Sequence, residues 1–391
     1  MVAESALPEP DSVSLAHSNK LVDLIKQRIS GAGGRISFAD FMTHALYEPG
    51  LGYYMAGATK FGSQGDFVTA PEITPLFGAA VAVQLREVLE RVGGGILELG
   101  AGSGSLALSI LKAMDDIGDL KYTILEPSAE LRQRQRQLLA TALSPAQLDR
   151  VNWISALPED FIGVIVANEV MDALPVERFS VINSSDRLQQ LLVSSEFKTV
   201  ERASQGALSA AIAAIEADLA EPLAPGYQSE VCLLLKPWIS SLAKSMNKGV
   251  LLVIDYGYPR REYYLPERTR GTLACYYRHR AHDDAFQWPG LQDITAHVDF
   301  TSVAEAAALA DLELLGYATQ SAFLLDNDLL VLAEALGEQL KSDADRIAVA
   351  RAIKTLTLPG EMGERFQVMA LGKGYDHALR GFATQDLAHR L

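Results

Sequence analysis

Two textures alternate along the chain. After a stretch with Pro8, Pro10, Ser12 and Ser14, which predicts a frayed leader of about 15 residues, Leu21, Leu24, Ile25 and Ile29 recur at helical spacing. Residues 31–34, Gly-Ala-Gly-Gly, end that pattern. From Arg35 to Pro75 glycine, proline and aromatic residues are dense and no long period emerges, which predicts an elaborate loop or a lid. Thr74 ahead of Pro75 then reads as a helix start, a capping hydroxyl before a proline at the first helical position. Phe77, Val81, Leu85, Val88 and Val92 carry the helix to about residue 92.

Beyond that point short apolar runs alternate with amphipathic segments, the signature of a parallel sheet with crossover helices. Strands are expected at 95–99, 122–126, 151–155, 164–167 and 250–255, enough for a doubly wound α/β core. An alanine-rich polar piece at 201–223 predicts a helical insertion, and a helical run with Trp238 and Leu242 follows. Residues 323–325 and 366–371 read as closing strands around a helical region at 329–355. The expected division is therefore 1–92, an N-terminal helical and lid segment; 93–257, the core, with a helical insertion at about 186–245; 258–318, an insertion rich in aromatics; and 319–391, which completes the core.

The sharpest local signal is Gly95-Ile96-Leu97-Glu98-Leu99-Gly100-Ala101-Gly102-Ser103-Gly104-Ser105-Leu106. A buried strand enters a turn with glycine at every second position and then a helix, so backbone can approach a ligand and the helix N-terminus offers its N–H groups. A pyrophosphate loop has the spacing G-x-G-x-x-G; here the glycines are 100, 102 and 104, and Glu98 would repel a diphosphate while suiting an ammonium group. Glu126 closes the next strand, where a carboxylate can accept both hydroxyls of a ribose. A nucleoside with a cationic tail, S-adenosylmethionine, meets both demands. The bland account is close helix–strand packing and a solvated strand end. After the third strand Ser155-Ala156-Leu157 supplies no acid for an adenine amino group.

Charge narrows the partners. A net charge of −15 opposes the counterion release that drives binding to nucleic acid. Cys232 and Cys275 lie far apart without metal or redox spacing, which suits a reducing compartment. The longest apolar runs, such as 250–254, fall well short of the ~18 residues of a membrane span, and Glu4, Glu9 and Asp11 mark no targeting segment. A cytoplasmic protein is expected.

The loop, together with Gly65-Asp66-Phe67-Val68-Thr69-Ala70-Pro71-Glu72-Ile73, Ala167-Asn168-Glu169-Val170-Met171-Asp172-Ala173-Leu174-Pro175, Ile254-Asp255-Tyr256-Gly257, Gly271-Thr272-Leu273 and 289–300, resembles the MidA-like family of S-adenosylmethionine-dependent methyltransferases. The resemblance runs collinearly from about residue 20 to about 375 and takes in 362–366. It implies a class I methyltransferase core, Rossmann-like, with a mostly parallel seven-stranded sheet and a substrate-side insertion. It also implies the activity of the family's mitochondrial branch, methylation of an arginine in a respiratory complex I subunit during assembly. A binding role in assembly without turnover, a small-molecule methyltransferase and a nicotinamide oxidoreductase are the competing readings, the last opposed by the glycine spacing. The oligomeric state, a homodimer included, is left open.

In an open parallel sheet ligands gather at the carboxyl ends of the strands, which places Asn168, Glu169 and Asp172 beside the reacting methyl. Glu169 is the candidate for holding a guanidinium bidentately, and Asn168 for positioning the substrate or the cofactor's amino-acid part. Asp172 is either a second guanidinium partner or a helix cap. Asp66 and Thr69 either fold over the cofactor or serve turn chemistry. In the aromatic segment Tyr276 and Trp288 are candidates to flank a guanidinium and Asp293 and Asp299 to receive it, unless these aromatics are core. His279, His282 and His297 with Asp283, Asp284 and Asp293 have no recognised metal spacing, so no metal is expected. Arg132, Arg134, Arg136, Arg260 and Arg261 read as solvated faces.

Overall fold

The strand Gly95–Leu99 is buried at every position, as a central parallel strand covered on both faces must be. It belongs to a computed structural model that describes residues 7–56 and 69–391. These fall into two compact units, one of 7–56, 172–234 and 260–297 and one of 69–171, 235–259 and 298–391.

The second unit holds the large sheet. Its strands are β1 (Gly95–Leu99), β2 (Lys121–Leu125), β3 (Val151–Ile154), β4 (Phe161–Asn168), β5 (Met246–Tyr258), β6 (Glu313–Thr319) and β7 (Phe366–Lys373), in the spatial order β6-β7-β5-β4-β1-β2-β3. β3, β2, β1, β4 and β5 pair in parallel, whereas β7 runs antiparallel to β5 and β6 antiparallel to β7. Chain order leads outward from β1 to β3 on one side and from β4 to β5 on the other, so strand order reverses between β1 and β4. The helix Pro75–Val92 begins as its sequence requires, with the Thr74 hydroxyl accepting from the Leu76 N–H at 3.3 Å and Pro75 at the first position. Its stripe of Phe77, Val81, Leu85 and Val88 is buried in the same core as Ile96, Ile110, Val164 and Leu252.

The first unit is built from three stretches of chain. Its main sheet runs Arg35–Ser37, Leu188–Ser194, Glu177–Val181, Gln228–Val231, with Thr199–Ala203 pairing on Leu188–Ser194. A smaller sheet joins Arg280–His282, Ala274–Tyr277 and Asp293–Thr295. Leu21, Ile25 and Ile29 of the helix Ser12–Gly31 close over Phe41, Met42, Tyr53 and Ile294.

The five expected core strands all occur, within a few residues of their expected ends. Four expectations fail. The leader is helical from Ser12, because Asp11 accepts from the Val13 and Ser14 N–H groups. The segment after Arg35 contains the helix Phe38–Tyr47. Residues 323–325 lie in the helix Gln320–Asp326, and the other closing strand is β6, whose pairing slips between Leu314 and Gly316 and so breaks the alternation. The insertion placed at 186–245 contains the helix Gly206–Asp218 and the expected helical run as Leu235–Ser245, but also three antiparallel strands, Leu188–Ser194, Thr199–Ala203 and Gln228–Val231, that its alanine-rich composition hides. The boundaries move accordingly. Residues 70–92 belong with the core, 172–234 and 260–297 form a unit with the N-terminal segment, and 298–318 returns to the core.

Candidate functional site

Register brings the sequence-predicted residues of the core to one edge. Leu99 of β1 lies opposite Leu125 of β2 and Ala167 of β4, and Asn168 opposite Ile254 of β5, so Gly100, Glu126, Glu169 and Asp255 follow side by side at the carboxyl ends. This is where strand order reverses and where an open α/β sheet takes its ligand.

Gly100, Gly102 and Gly104 have φ of 61°, 52° and 89°, a region that a Cβ makes costly. The loop ends with Gly104 as the N-cap of the helix Ser105–Ala113, whose first N–H groups face the turn. Beneath the loop Glu98 is buried and accepts from the Tyr122 hydroxyl at 2.7 Å. Burial pushes its carboxyl up to about 7, with Glu126 adding repulsion and the tyrosine hydrogen bond opposing. Glu126 is buried too, its two oxygens accepting from the Ser128 N–H at 3.0 Å and the Gln135 amide at 3.1 Å.

Glu169 stands at φ 53°, a left-handed conformation rare for a residue with a Cβ, and its N–H is tied to the Ile254 carbonyl at 2.9 Å. Burial first, then the charge of Asp255, pushes its carboxyl up to about 8, against hydrogen bonds from Asn168 and the Ala70 backbone. The Asn168 amide donates to it at 3.2 Å, while the Asn168 Oδ1 is buried without a hydrogen-bond partner. Asp255 is the organiser that sequence reasoning left among the quoted motifs. Its Oδ2 accepts from the Val170 and Met171 N–H groups at 3.2 and 2.8 Å, and its Oδ1 from the Tyr256 N–H at 2.9 Å. An acid ending the fifth strand, opposite the end of the fourth, was the signal available for it.

The remaining calls disperse. Thr69 is the N-cap residue of the helix Ala70–Ile73, its N–H donating to Glu72 at 3.2 Å, which is turn chemistry; Asp66 lies outside the described residues. Asp172 is buried in a turn of the first unit, so no helix starts there for it to cap. In that unit Asp293 is buried and accepts from the Tyr54 hydroxyl at 2.9 Å and the Ile294 N–H at 2.9 Å. Trp288 packs on Tyr277, centroids 5.2 Å apart, and the Tyr276 strand position pairs with Asp293. Asp299 is in the other unit and caps the helix Phe300–Ala308 by accepting from the Thr301 and Ser302 N–H groups. Arg136 is exposed as expected, with its guanidinium 4.8 Å from the centre of the Trp153 ring, whereas Arg260 departs from a solvated face and is buried. Among the described residues no His, Cys, Asp and Glu group is arranged to hold a metal ion, and no helix is long and apolar enough to cross a membrane.

Parallel strands in this order, an antiparallel β7 inserted next to β5, a glycine turn and an acid after β2 define the core of a class I methyltransferase. Residues 78–318 match a family model described as "Putative S-adenosyl-L-methionine-dependent methyltransferase". A crystal structure of a Burkholderia thailandensis protein bound to S-adenosyl-homocysteine is 40% identical, covers 99% of this chain and 100% of its own, and superposes with a TM-score of 0.90. Among curated proteins, the Drosophila melanogaster "Protein arginine methyltransferase NDUFAF7 homolog, mitochondrial" is 28% identical over 94% of this chain and 88% of its own length. Its Xenopus laevis counterpart is 27% identical over 93% and 86%. The chain belongs to this family of S-adenosylmethionine-dependent methyltransferases.

The residues present fit the cofactor. The buried Glu98 and Glu126 carboxylates, the left-handed glycine turn and the unsatisfied Asn168 Oδ1 are acceptors and backbone awaiting a polar, partly cationic nucleoside.

Proposed function

We propose that this methyltransferase modifies a guanidinium nitrogen of an arginine in a protein. The observation that carries the reading is Glu169, a carboxyl raised to about 8 beside the unsatisfied Asn168 Oδ1 and held in a strained backbone conformation. Strain of this kind costs about 1–3 kcal/mol and persists where the surroundings fix a functional geometry. The naming of the insect and frog relatives as protein arginine methyltransferases supports it.

Bound S-adenosylmethionine supplies a methyl group on a sulfonium whose departure leaves a neutral thioether, so no acid is needed for the leaving group. The chain's own task is to handle the nucleophile. A guanidinium is always protonated, and its positive charge beside Glu169 reverses the balance that keeps the carboxyl neutral. Glu169 then ionises and pairs with two N–H groups, which concentrates positive charge on one side of the guanidinium and leaves one nitrogen to attack. Asn168 offers its Oδ1 to a further N–H. As the nitrogen–carbon bond forms and the sulfur–carbon bond breaks, the attacking nitrogen gains a second positive charge in an already cationic group, which makes its proton acidic, and that proton passes to the ionised Glu169 carboxylate. The chain's net charge of −15 steers a basic segment toward it. A respiratory complex subunit is the proposed acceptor on the family resemblance alone, and the cytoplasm the proposed compartment.

The test is transfer of labelled methyl from S-adenosylmethionine to paired peptides that differ only in arginine or lysine, with wild type and Glu169→Gln. Arginine-only labelling that the variant abolishes is expected. Equal labelling of the lysine peptides, or transfer to small molecules without any peptide, would overturn the proposal.

A further inference from the structure

A buried glutamine ties three parts of the cofactor edge together. Gln135, on the helix Ala129–Ala142 that follows β2, is fully enclosed. Its Nε2 donates to the Gly102 carbonyl at 3.0 Å and to Glu126 Oε2 at 3.1 Å, and its Oε1 accepts from the Trp153 indole at 3.0 Å. A Cβ on Gly104 would stand 3.4 Å from the Gln135 Cγ, so the stem of the side chain lies directly against the glycine turn.

The chemistry of the three partners leaves the amide one orientation. An indole N–H only donates, whereas a carbonyl and an ionised carboxylate only accept. Turning the amide over would set an NH2 against the indole and an oxygen against both acceptors, so Trp153 dictates that the donor end faces Gly102 and Glu126. The Arg136 guanidinium, 4.8 Å from the centre of the Trp153 ring, helps fix that ring. Gln135 therefore sets the Glu126 carboxylate and the loop carbonyl with the same NH2 group.

We propose that Gln135 is the positioning residue for ribose recognition, holding Glu126 in the orientation that receives the nucleoside hydroxyls and coupling that orientation to the conformation of the glycine turn, with Trp153 as its orienter. This rests on the cofactor of the family and is independent of which acceptor is methylated.

The test is calorimetric titration with S-adenosylhomocysteine and with its analogue lacking both ribose hydroxyls, on wild type, Gln135→Met and Trp153→Phe, alongside thermal melting. Gln135→Met should bind S-adenosylhomocysteine about tenfold more weakly, the scale of losing a hydrogen bond to a charged group, and bind the dehydroxylated analogue within about twofold of wild type. Trp153→Phe, which keeps one aromatic ring but loses the indole N–H together with the second ring, should shift affinity the same way by a smaller factor. It also serves where Gln135→Met does not fold. A merely structural role would lower the melting temperature and weaken both ligands by the same factor. That result, or unchanged affinity for S-adenosylhomocysteine in a folded variant, would overturn the proposal.

Discussion

Removing the Glu169 carboxyl should change how stability depends on pH. In the folded chain without ligands this carboxyl ionises near 8, against an ordinary value of 4.5. Between those values the folded state holds a proton that the unfolded state has released, so the stability contributed by the neutral form falls as pH rises. The slope for one such proton is about 1.4 kcal/mol per pH unit, or ~2 kcal/mol between pH 5.5 and 7.0. Glu169 keeps some solvent contact, which reduces the figure to about 1–2 kcal/mol. Glu98, raised to about 7, contributes a similar decline over the lower part of the range, but equally to wild type and to Glu169→Gln, so it cancels in the comparison. The assay is urea unfolding of both proteins at pH 5.5 and 7.0, with constant m-values as the condition for comparison. Wild type should lose about 1–2 kcal/mol more than the variant over that interval. Parallel pH dependence in the two proteins would refute the claim that Glu169 is held neutral.

Three further outcomes follow from the same geometry. Glu126→Ala should weaken S-adenosylhomocysteine binding by about 1–3 kcal/mol, measured by calorimetry, because Gln135 and Ser128 lose their acceptor together with the ligand's partner. Asp255→Asn should destabilise by ~1–3 kcal/mol, since one amide oxygen cannot serve the three N–H groups that converge on the carboxylate. The same change removes a repelling charge from Glu169, so the pH profile of methyl transfer should move to lower pH. Gly163→Ala, at φ 132° and with a Cβ that would fall 1.9 Å from the Gly95 carbonyl, should cost at least about 3 kcal/mol in thermal melts; a melt within a degree of wild type would show that the strands can part there.

The core was legible because its information is local. A buried parallel strand has to be apolar throughout, a glycine turn has to follow it, and an acid ending the next strand falls into register without knowledge of anything distant. Asp255 and Gln135 carry a different kind of information. Asp255 reaches N–H groups 84 and 85 residues earlier in the chain, and Gln135 is one glutamine among several on a polar helix until Trp153 and Gly102 are placed beside it. The antiparallel strands of the other unit were lost for a third reason. Glu177–Val181 and Thr199–Ala203 carry charged residues, and the adjoining alanine-rich helix sets the composition of any window that includes them. The proposed aromatic clamp was drawn from spacing alone, which shows neither that Asp299 caps the helix Phe300–Ala308 nor that Asp293 accepts from the Tyr54 hydroxyl.

The position of β7 has a consequence for synthesis. This strand, Phe366–Lys373, is the last of the sheet in chain order, yet it lies inside the sheet, between β5 and β6. Until it emerges, the nascent sheet presents β5 with an open edge and leaves β6 nothing to pair with, a state in which exposed strand edges invite chaperones or aggregation. A chain stopped before Phe366 should thus behave as a complete loss of the enzyme, not as a trimmed version of it.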